Sequence, residues 1–94
     1  MSITIGETTF DNVEYDERGD VLYLHVGDPS TAVDFDESPE GHGLRFDASG
    51  RLVGVTIVGV RWLLDHGEPI TITVPTPMAI SVDPATLAPV IHAA

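Results

Sequence analysis

The stretch DFDESPEGH, from Asp34 to His42, sets Asp34, Asp36, Ser38 and Glu40 at alternate positions and follows them with His42. Oxygen donors at that spacing are what a calcium loop uses. Such a loop also needs a glycine at its sixth position and a bidentate glutamate at its twelfth, and here Pro39 and Arg45 stand there. No helix is expected on either flank. The simpler expectation is a solvated acidic loop facing a partner. Asp34, Asp36, Glu40 and His42 are still the residues from which a small-ligand or divalent-cation patch would be assembled. The histidines are His25, His42, His66 and His92. None stands three or four residues from another, so no local pair of metal ligands exists. His25 is expected along a strand face, and His66 in the last turn of a short helix, where a cation suits the helix dipole. No metal-ligand set and no cofactor is expected.

Catalysis needs a nucleophile beside a base. Ser2, Ser30, Ser38, Ser49 and Ser81 lack the G-x-S-x-G setting of a nucleophile elbow. GHG and VGVTIVGV lack the lysine and the following helix of a phosphate-binding loop. Asp16 and Asp47 occupy equivalent places in a repeated frame and invite an acid/base reading, but turn chemistry accounts for both. The RGD at Arg18 to Asp20 falls in the same turn and is explained by it. No catalytic residue is expected, and the reading leans away from an enzyme. In VRWLLDH, Arg61 and Trp62 are of the types most often found at interface hot spots. The competing expectation is that Trp62, Leu63 and Leu64 pack the helix on a sheet.

Composition narrows the partners. The chain has 94 residues, fifteen acids against four basic side chains, all arginine, and a formal net charge of -11. That field disfavours nucleic acid and anionic membrane surfaces and attracts a basic protein or a cation. It also serves plain solubility. A hydrophobic fraction of 43% argues against disorder. The length suits a single domain over residues 1–94. Without cysteine, disulfides and thiolate metal sites are excluded. The opening MSITIGETTFD has no basic and apolar leader pattern, and LVGVTIVGV is far short of the ~20 residues of a membrane span. The expected location is the cytoplasm.

The elements that must position these residues come from periodicity. Short strands are expected at Ile3 to Ile5, Phe10 to Tyr15, Val21 to Val26, Thr31 to Phe35, Leu44 to Phe46 and, longest, Arg51 to Val58. ITITV, Ile70 to Val74, alternates as a half-buried strand does. A short helix is expected near residues 60–66, ended by Gly67 and Pro69. Pro75 and Pro77 confine the next segment to an edge or loop. Asp83-Pro84 opens a single helical turn limited by Pro89.

EYDERGDVLYLHV and RFDASGRLVGVTI repeat one frame: an aromatic, an aspartate, a glycine three residues on, then an apolar strand. Asp16 and Asp47 start turns by accepting hydrogen bonds from their own backbone, and Gly19 and Gly50 close them in the left-handed conformation. A three-residue loop in each hairpin sets Asp16 opposite Asp20, Tyr15 opposite Val21 and Val13 opposite Tyr23. In the second hairpin it sets Asp47 opposite Arg51, Phe46 opposite Leu52 and Leu44 opposite Gly54, with Gly54 leaving room for a large neighbour. The outgoing strands are apolar on both faces and need cover on both. Self-association as a homodimer, or a partner on the sheet, supplies it.

The residues Tyr15-Asp16, Asp20-Val21-Leu22-Tyr23-Leu24, and Asp47, Gly50, Leu52-Val53-Gly54-Val55 resemble DUF2283, a prokaryotic family of small domains of unknown function. The resemblance covers about Val13 to Trp62. It departs at Thr56, where the family often has an acid, and in the N-terminal strand and the tail after Gly67. It implies a small β-rich fold and no assigned reaction. Some members look like partners of small toxin-like neighbours, which suits an acidic neutralising module.

The sequence therefore predicts a mainly β domain, an antiparallel sheet built from two equivalent hairpins with one short helix. Its expected function is a non-enzymatic protein-interaction module, with a basic protein or a second copy as partner. The alternative is a small-ligand or divalent-metal-binding protein.

Overall fold

A computed structural model describes residues 2–75 and 78–92. Among these residues nine strands and two α-helices follow one another: β1 (Ile3–Ile5), β2 (Thr8–Phe10), β3 (Asn12–Asp16), β4 (Val21–His25), β5 (Asp34–Glu37), β6 (Gly43–Phe46), β7 (Leu52–Val58), α1 (Val60–Asp65), β8 (Ile70–Val74), β9 (Met78–Val82) and α2 (Pro84–His92). The fold is mainly β and antiparallel, as expected. The central sheet has the order β3-β4-β7-β6-β5, and β1-β2 and β8-β9 form separate two-stranded hairpins. The two repeated hairpins thus meet edge to edge through β4 and β7.

One face of the central sheet is covered. Leu22, Leu24, Leu44, Val55 and Ile57 are buried there with Ile3, Ile5 and Phe10 of the first hairpin, Ile70, Ile72 and Val82 of the last, and Leu87 and Ile91 of α2. Burying each such side chain contributes about 2 kcal/mol. The N-terminal hairpin and the C-terminal segment therefore supply cover for one apolar face, and the opposite face is left open.

The register of the first hairpin corrects the expected one. Asp16 pairs with Val21, Tyr15 with Leu22 and Val13 with Leu24, so the loop has four residues, Glu17 to Asp20. The physical reason is burial. The three-residue loop would put Asn12, Glu14 and Asp16 on the same face as Leu22 and Leu24, because a one-residue slip inverts a strand. Asp20 (φ 53), not Gly19, takes the left-handed position. Gly19 is favoured for another reason: a Cβ there would crowd the Asp16 carboxylate at 3.0 Å.

In the second hairpin Gly50 is left-handed (φ 83) and Phe46 pairs with Leu52, as expected. A bulge then intervenes. Arg45 pairs with Gly54 and Leu44 with Val55, which leaves Val53 as the extra residue. The bulge puts Val55 and Ile57 on the covered face and Gly54 and Thr56 on the open one.

Three further expectations shift. Phe10 to Tyr15 is divided between β2 and β3. Residues Pro29–Thr31 form one 3-10 turn, with Asp28 accepting from the Ser30 N–H, and the strand begins at Asp34. The C-terminal helix runs through Pro89 to His92 rather than stopping after a turn. Proline forgoes its own N–H bond there and crowds the carbonyl four residues back, a cost offset by Leu87 and Ile91 on the same helix, which are fully buried. Helix α1 and strand β8 stand where they were expected. Among the described residues strand β9 pairs only with β8, so it is an edge, and Pro77 lies outside them.

Candidate functional site

Pairing places three rows of side chains on the open face. Asn12, His25, Gly54, Arg45 and Phe35 form one row; Glu14, Tyr23, Thr56, Gly43 and Glu37 form the next; Asp16, Val21 and Val58 form a third. Large apolar groups stand in solvent here: Tyr23 is 41% exposed, Phe35 68% and Val58 51%. The Arg45 guanidinium lies 5.4 Å from the Phe35 ring centre, a cation-π contact directed toward the β5 edge. Glu14, Asp16 and Glu37 make the remainder of the face acidic.

Gly54 shapes the middle row. A Cβ on it would stand 2.9 Å from Cδ2 of His25 and 3.0 Å from Cβ of Arg45. The room expected at Gly54 is therefore real, but its occupants are His25 and Arg45. The His25 ring lies buried on the sheet, with Nδ1 2.9 Å from the Val26 carbonyl.

The equivalent aspartates both serve turns. Asp16 accepts from the N–H groups of Arg18 (3.1 Å) and Gly19 (3.3 Å). Asp47 accepts from the N–H groups of Ser49 and Arg51 (3.0 Å each) and from the Ser49 hydroxyl (2.6 Å). The Ser49 hydroxyl, and then the Arg51 N–H, hold the Asp47 carboxyl below its ordinary value.

Asp20 is the residue that local reasoning missed. It stands in the first loop, yet its carboxylate accepts from the N–H groups of Arg61 (2.8 Å) and Trp62 (3.1 Å) at the start of α1, and its carbonyl accepts from Gly59 N–H (2.8 Å). Gly59, at the N-cap position of α1, has no side chain to do this. Tyr15 donates its hydroxyl to the same carboxylate at 2.8 Å. Burial pushes the Asp20 carboxyl up, but the Arg61 and Trp62 N–H groups, the Tyr15 hydroxyl and the Arg61 charge outweigh it and leave it below the ordinary value. Burial, and then the hydrogen bond to Asp20, raise the Tyr15 phenol to about 12. An aspartate that directly follows a turn glycine and precedes an apolar strand is the only local signal for this role.

Arg61 and Trp62 separate in function. Arg61 donates to the Ile91 carbonyl at 2.7 Å, tying α1 to α2, and stands 4.0 Å from Glu17. Trp62 is 54% exposed and stacks on His66, with ring centres 4.0 Å apart. Leu63 and Leu64, by contrast, pack against the core.

The acidic stretch is not gathered into one site. Asp34 and Asp36 lie on the exposed edge strand β5. Glu40 reaches across to β8, accepting from Thr73 N–H (2.9 Å) and the Thr73 hydroxyl (2.6 Å). The hydroxyl, and then the N–H, lower its carboxyl to about 2. His42 is buried; its Nδ1 accepts from Val58 N–H at 3.3 Å, and burial lowers its basicity. Among the described residues no three His, Cys, Asp or Glu side chains stand together as metal ligands. No described helix is long and apolar enough to cross a membrane.

A family model described as a protein of unknown function, DUF2283, matches residues 12–61. The chain belongs to the DUF2283 family. No curated protein and no solved structure matches it. The DUF2283 segment contains the whole central sheet, β3 to β7, and ends at the first N–H that the Asp20 carboxylate holds. The Tyr-Asp and Asp-Val-Leu-Tyr-Leu residues are thereby explained: they carry the Tyr15–Asp20–α1 linkage and the two faces of β4. The flanking strands and α2, outside the DUF2283 match, supply the cover of one sheet face.

Proposed function

We propose that this domain is a non-enzymatic protein-interaction module that docks a basic protein on the open face of its central sheet. The observation that carries the reading is the trio Tyr23, Phe35 and Val58, large apolar groups standing in solvent on one face. Contiguous exposed apolar surface marks interaction sites. The choice of partner rests on charge. The net charge is -11, and the face itself bears Glu14, Asp16 and Glu37 against Arg45. A second copy would bring the same acids opposite one another, whereas a basic protein meets them with complementary sign and is steered to them.

The test is a pull-down from the source cell's lysate at low and high salt, with wild type and with Val58→Asp and Tyr23→Asp. Both substitutions lie on the open face. Val55→Asp would not serve, because Val55 is buried in the core. A stoichiometric basic protein retained by wild type, released by salt and lost from both variants is the expected result. Wild type returning alone, as a monomer by light scattering, would sink the reading.

A further inference from the structure

The open face carries a cavity of about 220 Å³, bordered by Asn12, Glu14, Tyr23, His25, Arg45 and Thr56. One of its walls holds an unsatisfied group. His25 is only 6% exposed, and its Nε2 is buried with no hydrogen-bond partner among the described residues. The chemistry of that nitrogen is set by the other one. Nδ1 lies 2.9 Å from the Val26 carbonyl, which can only accept, so Nδ1 carries the proton of the neutral ring. In the neutral ring Nε2 is then a bare lone pair asking for a donor. A buried acceptor without a donor is uncommon and destabilising, so a partner that supplies the donor relieves it.

The rest of the lining agrees in sign. Glu14 brings a carboxylate, while Tyr23, Thr56 and Asn12 can all accept. The cation nearest in the row, Arg45, contributes its stem beside Gly54 and sends its guanidinium to Phe35 on the far strand. Asn12 and Glu14, which border the same cavity, are exposed side chains on the edge strand β3 and are free to rotate.

We propose that this cavity receives a lysine or arginine side chain of the docked basic protein, its stem lying along the Arg45 stem and Tyr23 and its cationic N–H groups donating to Nε2 of His25 and to the Glu14 carboxylate. The proposal rests on the docking reading above and names the anchor of that interface. Such an anchor is of the kind that dominates binding energy at interfaces.

The experiment isolates the anchor from the docking. Uniformly ¹⁵N-labelled protein is titrated at constant pH with n-butylammonium and n-butylguanidinium, the head groups of the two side chains. Tetramethylammonium, a cation without an N–H donor, is the control. The expected result is a saturable shift of the His25 Nε2 resonance with the donors alone and no matching shift at His42 or His66. Glu14→Gln, an exposed position, should weaken that response at least threefold. His25→Phe, checked for an unchanged amide spectrum, should lose partner retention in the pull-down. No saturable shift, an equal shift with tetramethylammonium, or indifference to Glu14→Gln would overturn the anchor. A partner still held in those circumstances would leave the docking reading standing, while binding of the small cations with no partner in any lysate would remove the docking reading and with it the assignment to a protein side chain.

Discussion

The two hairpin turns begin from the same four-residue pattern, aspartate to glycine, and end as different devices. In the second, Asp47 holds three groups of its own loop and Gly50 takes the left-handed position; everything that shapes the turn lies within five residues. In the first, Asp16 does part of the same work, but Asp20 takes the left-handed position and commits its carboxylate to a helix 41 residues away. A repeated sequence frame thus specifies a repeated hairpin without specifying a repeated role. The extra residue of the first loop frees the carboxylate of one aspartate from the turn and hands it to the tertiary structure.

The contrast is broken most directly at Asp20. Asp20→Ala removes two charge-assisted bonds to α1, strands the Tyr15 hydroxyl and leaves an alanine in the left-handed region, so a loss of about 3 kcal/mol in urea unfolding is expected. Asp47→Ala loses only local, solvent-exposed turn bonds, and its loss in the same experiment is expected to be well under half as large. Equal losses at the two positions would erase the distinction. The conservative change Asp20→Asn keeps an acceptor and tolerates the left-handed conformation, so it should recover part of the loss.

The glycines sharpen the same contrast. Gly50→Ala forces a Cβ into a left-handed residue and is expected to cost about 1–2 kcal/mol. Gly19→Ala crowds the Asp16 carboxylate at 3.0 Å and meets Val21 at an ordinary 3.5 Å, with no positive φ, and should cost about half as much. Thermal unfolding of the pair, side by side, checks the order.

A further effect is a matter of pH. The fold raises the Tyr15 phenol from 10.0 to about 12 through burial and its bond to Asp20, so the neutral phenol is the stabilised form. That contribution is fully present below the unfolded value and is lost as pH rises through the folded one. The side chain is only half-buried, and solvent screening reduces the gain below what the shift alone would give. Wild type should therefore exceed Tyr15→Phe by about 1 kcal/mol at pH 8 and lose that advantage between about pH 10 and 12. A constant difference across that range would mean that the Tyr15–Asp20 bond contributes nothing.

Sequence reasoning reached the elements more surely than their registers. Alternation marked β8, the long apolar run marked β7, and Gly67 with Pro69 marked the end of α1. All are short-range signals. The register of the first hairpin turned on whether Gly19 or Asp20 would be left-handed, and both tolerate it. What decides is the burial of Leu22 and Leu24 together with a contact to α1, neither of which is local. The bulge at Val53 is similar: one extra residue inverts the faces of β7, and nothing in LVGV announces it. At the open face, the doubly apolar character of β4 foretold that cover would be short on one side. The lodging of His25 over Gly54 depended on pairing β4 with β7, two strands from different hairpins. The acidic stretch misled because spacing along a chain says nothing about which carboxylates are already engaged, and Glu40 belongs to Thr73.

The link from Asp20 to α1 also orders assembly in time. A helix of six residues with a glycine at its N-cap has too little internal support to persist alone. Its cap arrives only once the strand after Asp20 has joined the strand before Gly59, since Gly59 N–H and Arg61 N–H reach Asp20 together. The helix therefore forms late, behind the β4–β7 seam. Substitutions in that seam should slow folding, whereas Asp20→Ala should chiefly hasten unfolding.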